Sequence, residues 1–235
     1  MSVRHGESPL KKNMVKRGRS QTRRNGSSAN QSAAREPEKL TKSRLRWEAI
    51  LQAATELFNR KGFHAASMQD IADLVGIKKG SLYYYVDTKE ELLFQILRDL
   101  HQGGEALVEA ANFRSIDPLG ELRSLLLQMG IYAGKHAGRM EIFNRDFDRL
   151  TASQQKMILS ERRLYWDAVV KLIRVAIRKG QVSDTLDPRV AAQAALRAVS
   201  SISHWYRGNG DLKIEQIAAQ TAVLMVQGLA NYNRR

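Results

Sequence analysis

From Leu45 to the C-terminus, apolar residues return at three- and four-residue steps, and over no strand's length do they alternate every second residue. Such spacing lines one face of a helix with 3.6 residues per turn, whereas a half-buried strand needs a period of two. The segment LRWEAILQAATELFNRKGF sets the pattern: Leu45, Ala49, Ile50, Ala53, Ala54, Leu57 and Phe58 share a stripe, and Gly62 stops it. No hairpin-type turn joins two alternating runs, and no repeat of solenoid period is present. The fold class is all-α, with about nine helices.

Helix starts and stops divide the chain. Folded sequence is expected to begin near Thr41 or Ser43, either of which can cap a helix. Ser67 caps the next helix, with Asp70 three residues on in a near capping-box pattern, and Gly76 ends it after Val75. A short helix is predicted over 78–86. A long one follows, capped by Thr88, with Glu90 and Glu91 at its positive end and Leu92, Leu93, Ile96, Leu97 and Leu100 as its stripe. Pro118 and the pair Asp187-Pro188 mark two further starts. Ile142, Phe143, Phe147 and Leu150 share one side of a middle helix, a long helix is predicted over 154–179 ending at Gly180, and LKIEQIAAQTAVLMVQGLANY is the last.

Charge placement separates a tail from a body. Net charge is +14, yet residues 1–46 carry 13 Lys+Arg against 3 acids, while the remainder is only mildly positive. Residues 1–40 are polar and almost without apolar periodicity, so they are expected to be a disordered basic arm that either meets nucleic acid or merely solubilises the chain. Met14 is a second candidate start within it. The absence of cysteine excludes disulfides, thiolate metal sites and a cysteine nucleophile. The longest apolar runs, such as AVLMV at 222–226, are far too short for a membrane span, and the N-terminus lacks a signal peptide's apolar core. A reducing cytosol is the expected location. His5, His64, His101, His136 and His204 are scattered without metal-ligand spacing, so neither an enzyme, a metal site nor a cofactor is expected.

The functional pattern lies in residues 67–86. Two short helices flank a tight turn at Gly76-Ile77, the first amphipathic through Ile71, Leu74 and Val75, with small Ala72 permitting a close crossing. This is a helix-turn-helix, whose second helix enters the major groove N-terminus first. Lys78 and Lys79 attract phosphate, Gly80 lets the backbone approach, Ser81 can donate to phosphate or a base edge, and Leu82 turns inward. Tyr83, Tyr84 and Tyr85 follow in a row. Three buried phenols would each need a partner. Set at successive angles they reach sugar, thymine methyl or phosphate instead, although Tyr83 or Tyr85 packing on the first helix stays open.

The run SMQDIADLVGIKKGSLYYYVDTKEELL, after a helix ending LFNRKGF, resembles the DNA-binding domain of the TetR family of bacterial repressors. Ser67, Ile71, Ala72, Gly76, Ile77, Gly80, Leu82, Tyr83, Lys89, Glu90 and Leu92 fill matching places over about 50 residues. Val75, Lys78, Tyr85 and Val86 depart from the family pattern without breaking its chemistry. The resemblance implies residues 41–90 as a three-helix DNA-binding domain and 91–235 as a helical domain for ligand binding and dimerisation. It places Lys79, Ser81, Tyr83 and Tyr84 toward the major groove, Ser67, Tyr85 and Lys89 on the DNA backbone, and Arg44 and Arg46 on a flanking phosphate or the minor groove.

The same resemblance implies a homodimer on a palindromic operator, released by a small hydrophobic or acyl-CoA-like effector. Ala194, Ala198, Ile202, Trp205, Ile217 and Leu224 are its expected dimer contacts, although these stripes also read as intrachain core. Met129, Tyr132, Phe143, Phe147, Tyr165 and Trp166 are the candidate pocket walls, and Arg139, Arg145, Arg149, Arg162 and Arg163 its candidate anion contacts, against a plainer reading as core aromatics and solvated arginines. The alternative function is a ligand-independent, architectural DNA binder that uses the basic arm.

Overall fold

The computed structural model describes residues 29–232, with side chains from residue 42 onward. Among the described residues the chain forms nine α-helices and no strand. It divides into two compact units that meet in sequence between Leu92 and Leu93.

The first unit holds α1 (Ala29–Lys61), α2 (Met68–Val75), α3 (Lys79–Leu82) and the start of α4 (Lys89–Glu109). Helix α1 begins well before Thr41 or Ser43, so the last part of the expected 1–40 arm is helical. Ala, Gln, Glu, Lys and Arg dominate 29–40; these are strong helix formers with little apolar content, and their propensity outweighs Pro37. The rest of the expected arm, 1–28, lies outside the described residues. Ser67 and Asp70 close a reciprocal capping box on α2. Gly76 ends α2 at φ 71°, a left-handed conformation costly to any residue with a Cβ, and Ile77 N–H donates back to Ala72 O at 2.9 Å. Helix α3 is shorter than the predicted 78–86. Tyr85 N–H bonds Leu82 O at 2.9 Å, three residues back, which tightens the chain into a turn and carries Val86 inward. The unit buries Ile50, Leu57 and Phe58 of α1, Ile71 and Ala72 of α2, and Leu82.

The second unit comprises the remainder of α4, then α5 (Pro118–Lys135), α6 (Ala137–Asp146), a 3-10 turn (Phe147–Arg149), α7 (Ala152–Arg178), α8 (Pro188–Trp205) and α9 (Ile214–Ala230). Asp117, Thr151 and Asp187 cap α5, α7 and α8 through their side chains. Helix α5 packs against α7, α8 and α9. Its Leu122, Leu125 and Leu126 join Val169 and Ile173 of α7 and Ala192, Ala195 and Val199 of α8 in the main core. A smaller cluster holds Ile202, Ile214, Ile217 and Ala218. The many alanines let these helices approach closely.

Candidate DNA and ligand sites

In the first unit, the turn at Gly76 sets α3 on the surface. Lys78, Lys79, Gly80 and Ser81 are exposed, as are Tyr83 and Tyr84, while Leu82 is fully buried beneath them. Lys79 Nζ lies 5.8 Å from the Tyr83 ring centroid. Tyr85 is half-buried and stacks on Trp47 of α1, with centroids 6.3 Å apart and planes 14° from parallel. Tyr85 thus packs on the first helix, one of the two placements its sequence left open. Arg44 and Arg46 are exposed on α1, with Arg44 paired to Glu48 at 3.2 Å.

Two expected backbone contacts are otherwise engaged. Ser67 Oγ donates to the Asp70 carboxylate at 2.8 Å and accepts from Asp70 N–H at 3.1 Å, so a phosphate would compete with the cap. Lys89 Nζ donates to the carbonyls of Phe63, His64 and Ala66 at 2.7, 3.2 and 2.9 Å, and lies 4.6 Å from the Phe63 ring centroid. An ammonium has three donors, and all three are spent. Lys89 therefore staples the α1–α2 turn to α4 and is not a DNA contact. A Lys89→Met variant is expected to lose about 2 kcal/mol in urea unfolding, the scale of a charge-assisted hydrogen bond whose acceptors are left stranded. Unchanged stability with a selective loss of DNA affinity would restore the lysine to the DNA.

The second unit contains a cavity of about 460 Å³. Five of the six predicted wall residues line it: Met129, Tyr132, Phe143, Tyr165 and Trp166. Phe147 does not. It falls in the 3-10 turn after α6, where the helical register is lost, and its ring meets that of Phe143 at a tilt of 49°, with centroids 5.0 Å apart. The cavity's inner end is formed by buried Leu100, His101, Gly104, Ala133, Phe143 and Val199. Exposed Arg162, Arg163, Arg197, Gln193 and His204 lie toward solvent. No acidic side chain lines it.

Two tyrosines hold the inner wall to α4. Tyr132 donates to Leu100 O at 2.7 Å, and Tyr165 donates to His101 O. Gly103 and Gly104 make room: a Cβ on Gly103 would overlap the Tyr132 hydroxyl, and one on Gly104 would lie 2.7 Å from that of Tyr165. Burial pushes the Tyr132 pKa up to about 12 and raises that of Tyr165 further, so both remain protonated donors. A Gly-Gly pair inside a helical pattern is the one sequence signal for this arrangement.

Only some of the predicted arginines face the cavity. Arg139 pairs with Asp99, while Arg145 and Arg149 both pair with buried Asp146, at 2.8 and 2.7 Å. Buried Asp146 demands such partners, which takes Arg145 and Arg149 out of the anion-contact set, and Arg139 is held by Asp99 outside the cavity lining. Arg163 reaches Asp167 at 3.6 Å. Arg162 and Arg197 have no carboxylate partner among the described residues; Arg162 instead sits 4.8 Å from the Phe143 ring centroid. Although Arg162 as a whole is exposed, partial desolvation of its guanidinium, then the like charge of Arg197, lowers its pKa.

Helix α8 presents three faces. Ala191, Ala195, Val199 and Ile202 enter the core; Gln193, Leu196, Arg197 and Ser200 line the cavity; Val190, Ala194, Ala198 and Trp205 look outward. On α9, Leu224 is 64 % exposed. Of the predicted dimer contacts, Ile202 and Ile217 are therefore corrected to intrachain core. Each of these helices carries apolar residues on more than one face, and their spacing alone does not say which face turns inward.

An exposed basic helix-turn-helix in one unit and a cavity in a second, helical unit define a DNA-binding regulator with a ligand domain. Residues 50–96 match the family described as bacterial regulatory proteins, tetR family, and residues 115–229 match the tetracyclin repressor-like C-terminal domain. The chain belongs to the TetR family, whose regulators bind operator DNA as dimers and respond to small effectors. It is 26% identical over 187 residues to the HTH-type transcriptional repressor KstR2 of Rhodococcus jostii, covering 77% of this chain and 90% of that one. The TetR family regulator PfmR of Thermus thermophilus shares its fold with a TM-score of 0.70 and 26% identity, over 77% of this chain and 98% of PfmR. AibR, in a complex with isovaleryl coenzyme A and operator DNA, superposes with a TM-score of 0.66 and 27% identity, over 76% of this chain and 97% of AibR. Among the described residues no helix is long and apolar enough to cross a membrane.

Proposed function

We propose that this repressor releases its operator when an acyl-CoA thioester, or a kindred acidic amphipath, fills the cavity of the second unit. The observation that carries this reading is the combination of an apolar interior, guanidiniums of Arg162 and Arg197 without carboxylate partners, and walls free of acid. Such a site suits a ligand with an apolar body and a negative group. The isovaleryl coenzyme A bound by AibR is of that chemistry. Met129, Tyr132, Phe143, Tyr165 and Trp166 would enclose the body.

In the same reading residues 41–90 bind DNA and 91–235 bind effector and partner, without catalysis, in the bacterial cytoplasm. Lys78, Lys79, Gly80, Ser81, Tyr83 and Tyr84 meet the operator, with Arg44 and Arg46 beside them and Tyr85 bracing the turn. Ala194, Ala198, Trp205 and Leu224 meet the second protomer. Release requires the ligand to prefer the conformation that fits DNA less well.

The test starts from a binding site selected out of random duplex DNA. Isovaleryl-CoA or octanoyl-CoA at saturation is expected to lower affinity for that site at least about tenfold, within the ordinary range of allosteric coupling, while free CoA has little effect. Release by unrelated polar drugs alone would remove the acyl thioester reading.

A further inference from the structure

The inner end of the cavity holds a polar group that apolar packing leaves unused. His101, on α4, is 6 % exposed, and its ring meets Phe143 edge-on at 5.1 Å. Its Nε2 has no hydrogen-bond partner. The nearby phenols do not donate to it, because Tyr132 and Tyr165 donate to the carbonyls of Leu100 and His101. Burial, reinforced by Arg162, depresses the His101 pKa to about 3, so the ring is neutral, with one N–H and one lone pair. A buried polar atom without a partner destabilises whatever state contains it. An effector whose buried part is only hydrocarbon leaves that nitrogen without a partner.

We propose that His101 is a specificity residue, which hydrogen-bonds an oxygen carried on the effector's apolar body and so selects hydroxy- or oxo-acyl thioesters over plain ones. The inference rests on reading the cavity as the acyl thioester site. Arg162, 4.8 Å from the Phe143 ring that His101 also touches, serves the negative group, and His101 reads the body one ring further in. The wall offers two separate readings: charge near solvent, and one oxygen inside.

The test is titration calorimetry of the full-length dimer with octanoyl-CoA, 3-hydroxyoctanoyl-CoA and 8-hydroxyoctanoyl-CoA. The wild type is expected to bind one hydroxylated ligand about tenfold more tightly than octanoyl-CoA, the worth of one hydrogen bond in a dry site. His101→Leu is expected to abolish that preference while still binding octanoyl-CoA, and His101→Gln to keep part of it. Without ligand, His101→Leu is expected to melt no lower than wild type, since an orphaned polar atom has been replaced by carbon; a histidine with a structural hydrogen bond would give a clear drop. Equal binding of all three ligands by wild type, or a preference that survives His101→Leu, overturns the inference alone. Failure of every ligand to bind wild type overturns the effector reading beneath it. If His101→Leu does not fold, the wild-type ratio and His101→Gln decide the matter.

Discussion

A Leu224→Glu variant is expected to be a monomer at micromolar concentration and to bind the operator at least about 100-fold more weakly. Leu224 stands 64 % exposed on α9, and Val190 and Trp205 stand 65 % and 54 % exposed on α8, with Ala194 and Ala198 between them. Two-fold symmetry makes the contact isologous, so one substitution places two carboxylates in the same interface. Desolvating them without cations costs several kcal/mol, enough to defeat a dimer of ordinary affinity. The loss at DNA follows because a monomer holds one half-site, and the gain from tethering two recognition helices disappears. The substitution spares the core, because the inward face of α9 is carried by Ile214, Ile217, Ala218 and Ala222. Light scattering after gel filtration reads the mass, and a melting curve checks that the monomer is folded. A variant that stays dimeric moves the interface off α9.

The helix-turn-helix was legible because its determinants are local. Apolar spacing, the Ser67-Asp70 pair and the glycine at φ 71° are all set by neighbours within a few residues. The helical class followed from periodicity, which reports which residues share a face, whereas the candidate cavity walls came from the family resemblance. What periodicity does not report is which partner a face meets. Ile202 and Leu224 belong to similar stripes, yet one is buried in its own protomer and the other is open. Long polar side chains were the least legible. Lys89 looks like a phosphate contact until three carbonyls from 23 to 26 residues away converge on it, and Arg145 and Arg149 look free until Asp146 turns inward between them. The start of α1 is hidden for a different reason: residues 29–40 lack an apolar stripe, although their propensity favours a helix. In the sequence His101 is one of five scattered histidines; its place opposite Phe143 depends on α4 and α6 meeting in the folded unit.

The second large effect is expected at the operator. Tyr83→Ala should weaken binding about tenfold or more, the usual worth of one good contact in the groove. Lys79→Ala should weaken it similarly, and should reduce the slope of log affinity against log salt by about one, as expected for the loss of one phosphate contact. The two losses should not add. Lys79 Nζ lies 5.8 Å from the Tyr83 ring, so each side chain positions the other, and groups in contact couple in a double-mutant cycle. Neither substitution should disturb the fold, because both side chains are exposed and Leu82, which anchors α3, is untouched. The form of the loss then separates two roles that exposure alone leaves joined. If Tyr83→Phe behaves as Tyr83→Ala, the hydroxyl carries the contact; if it behaves as wild type, the ring does. A loss that is uniform across operator variants marks a backbone grip, whereas one confined to a single base position marks readout. Full affinity in both alanine variants would take α3 off the DNA altogether.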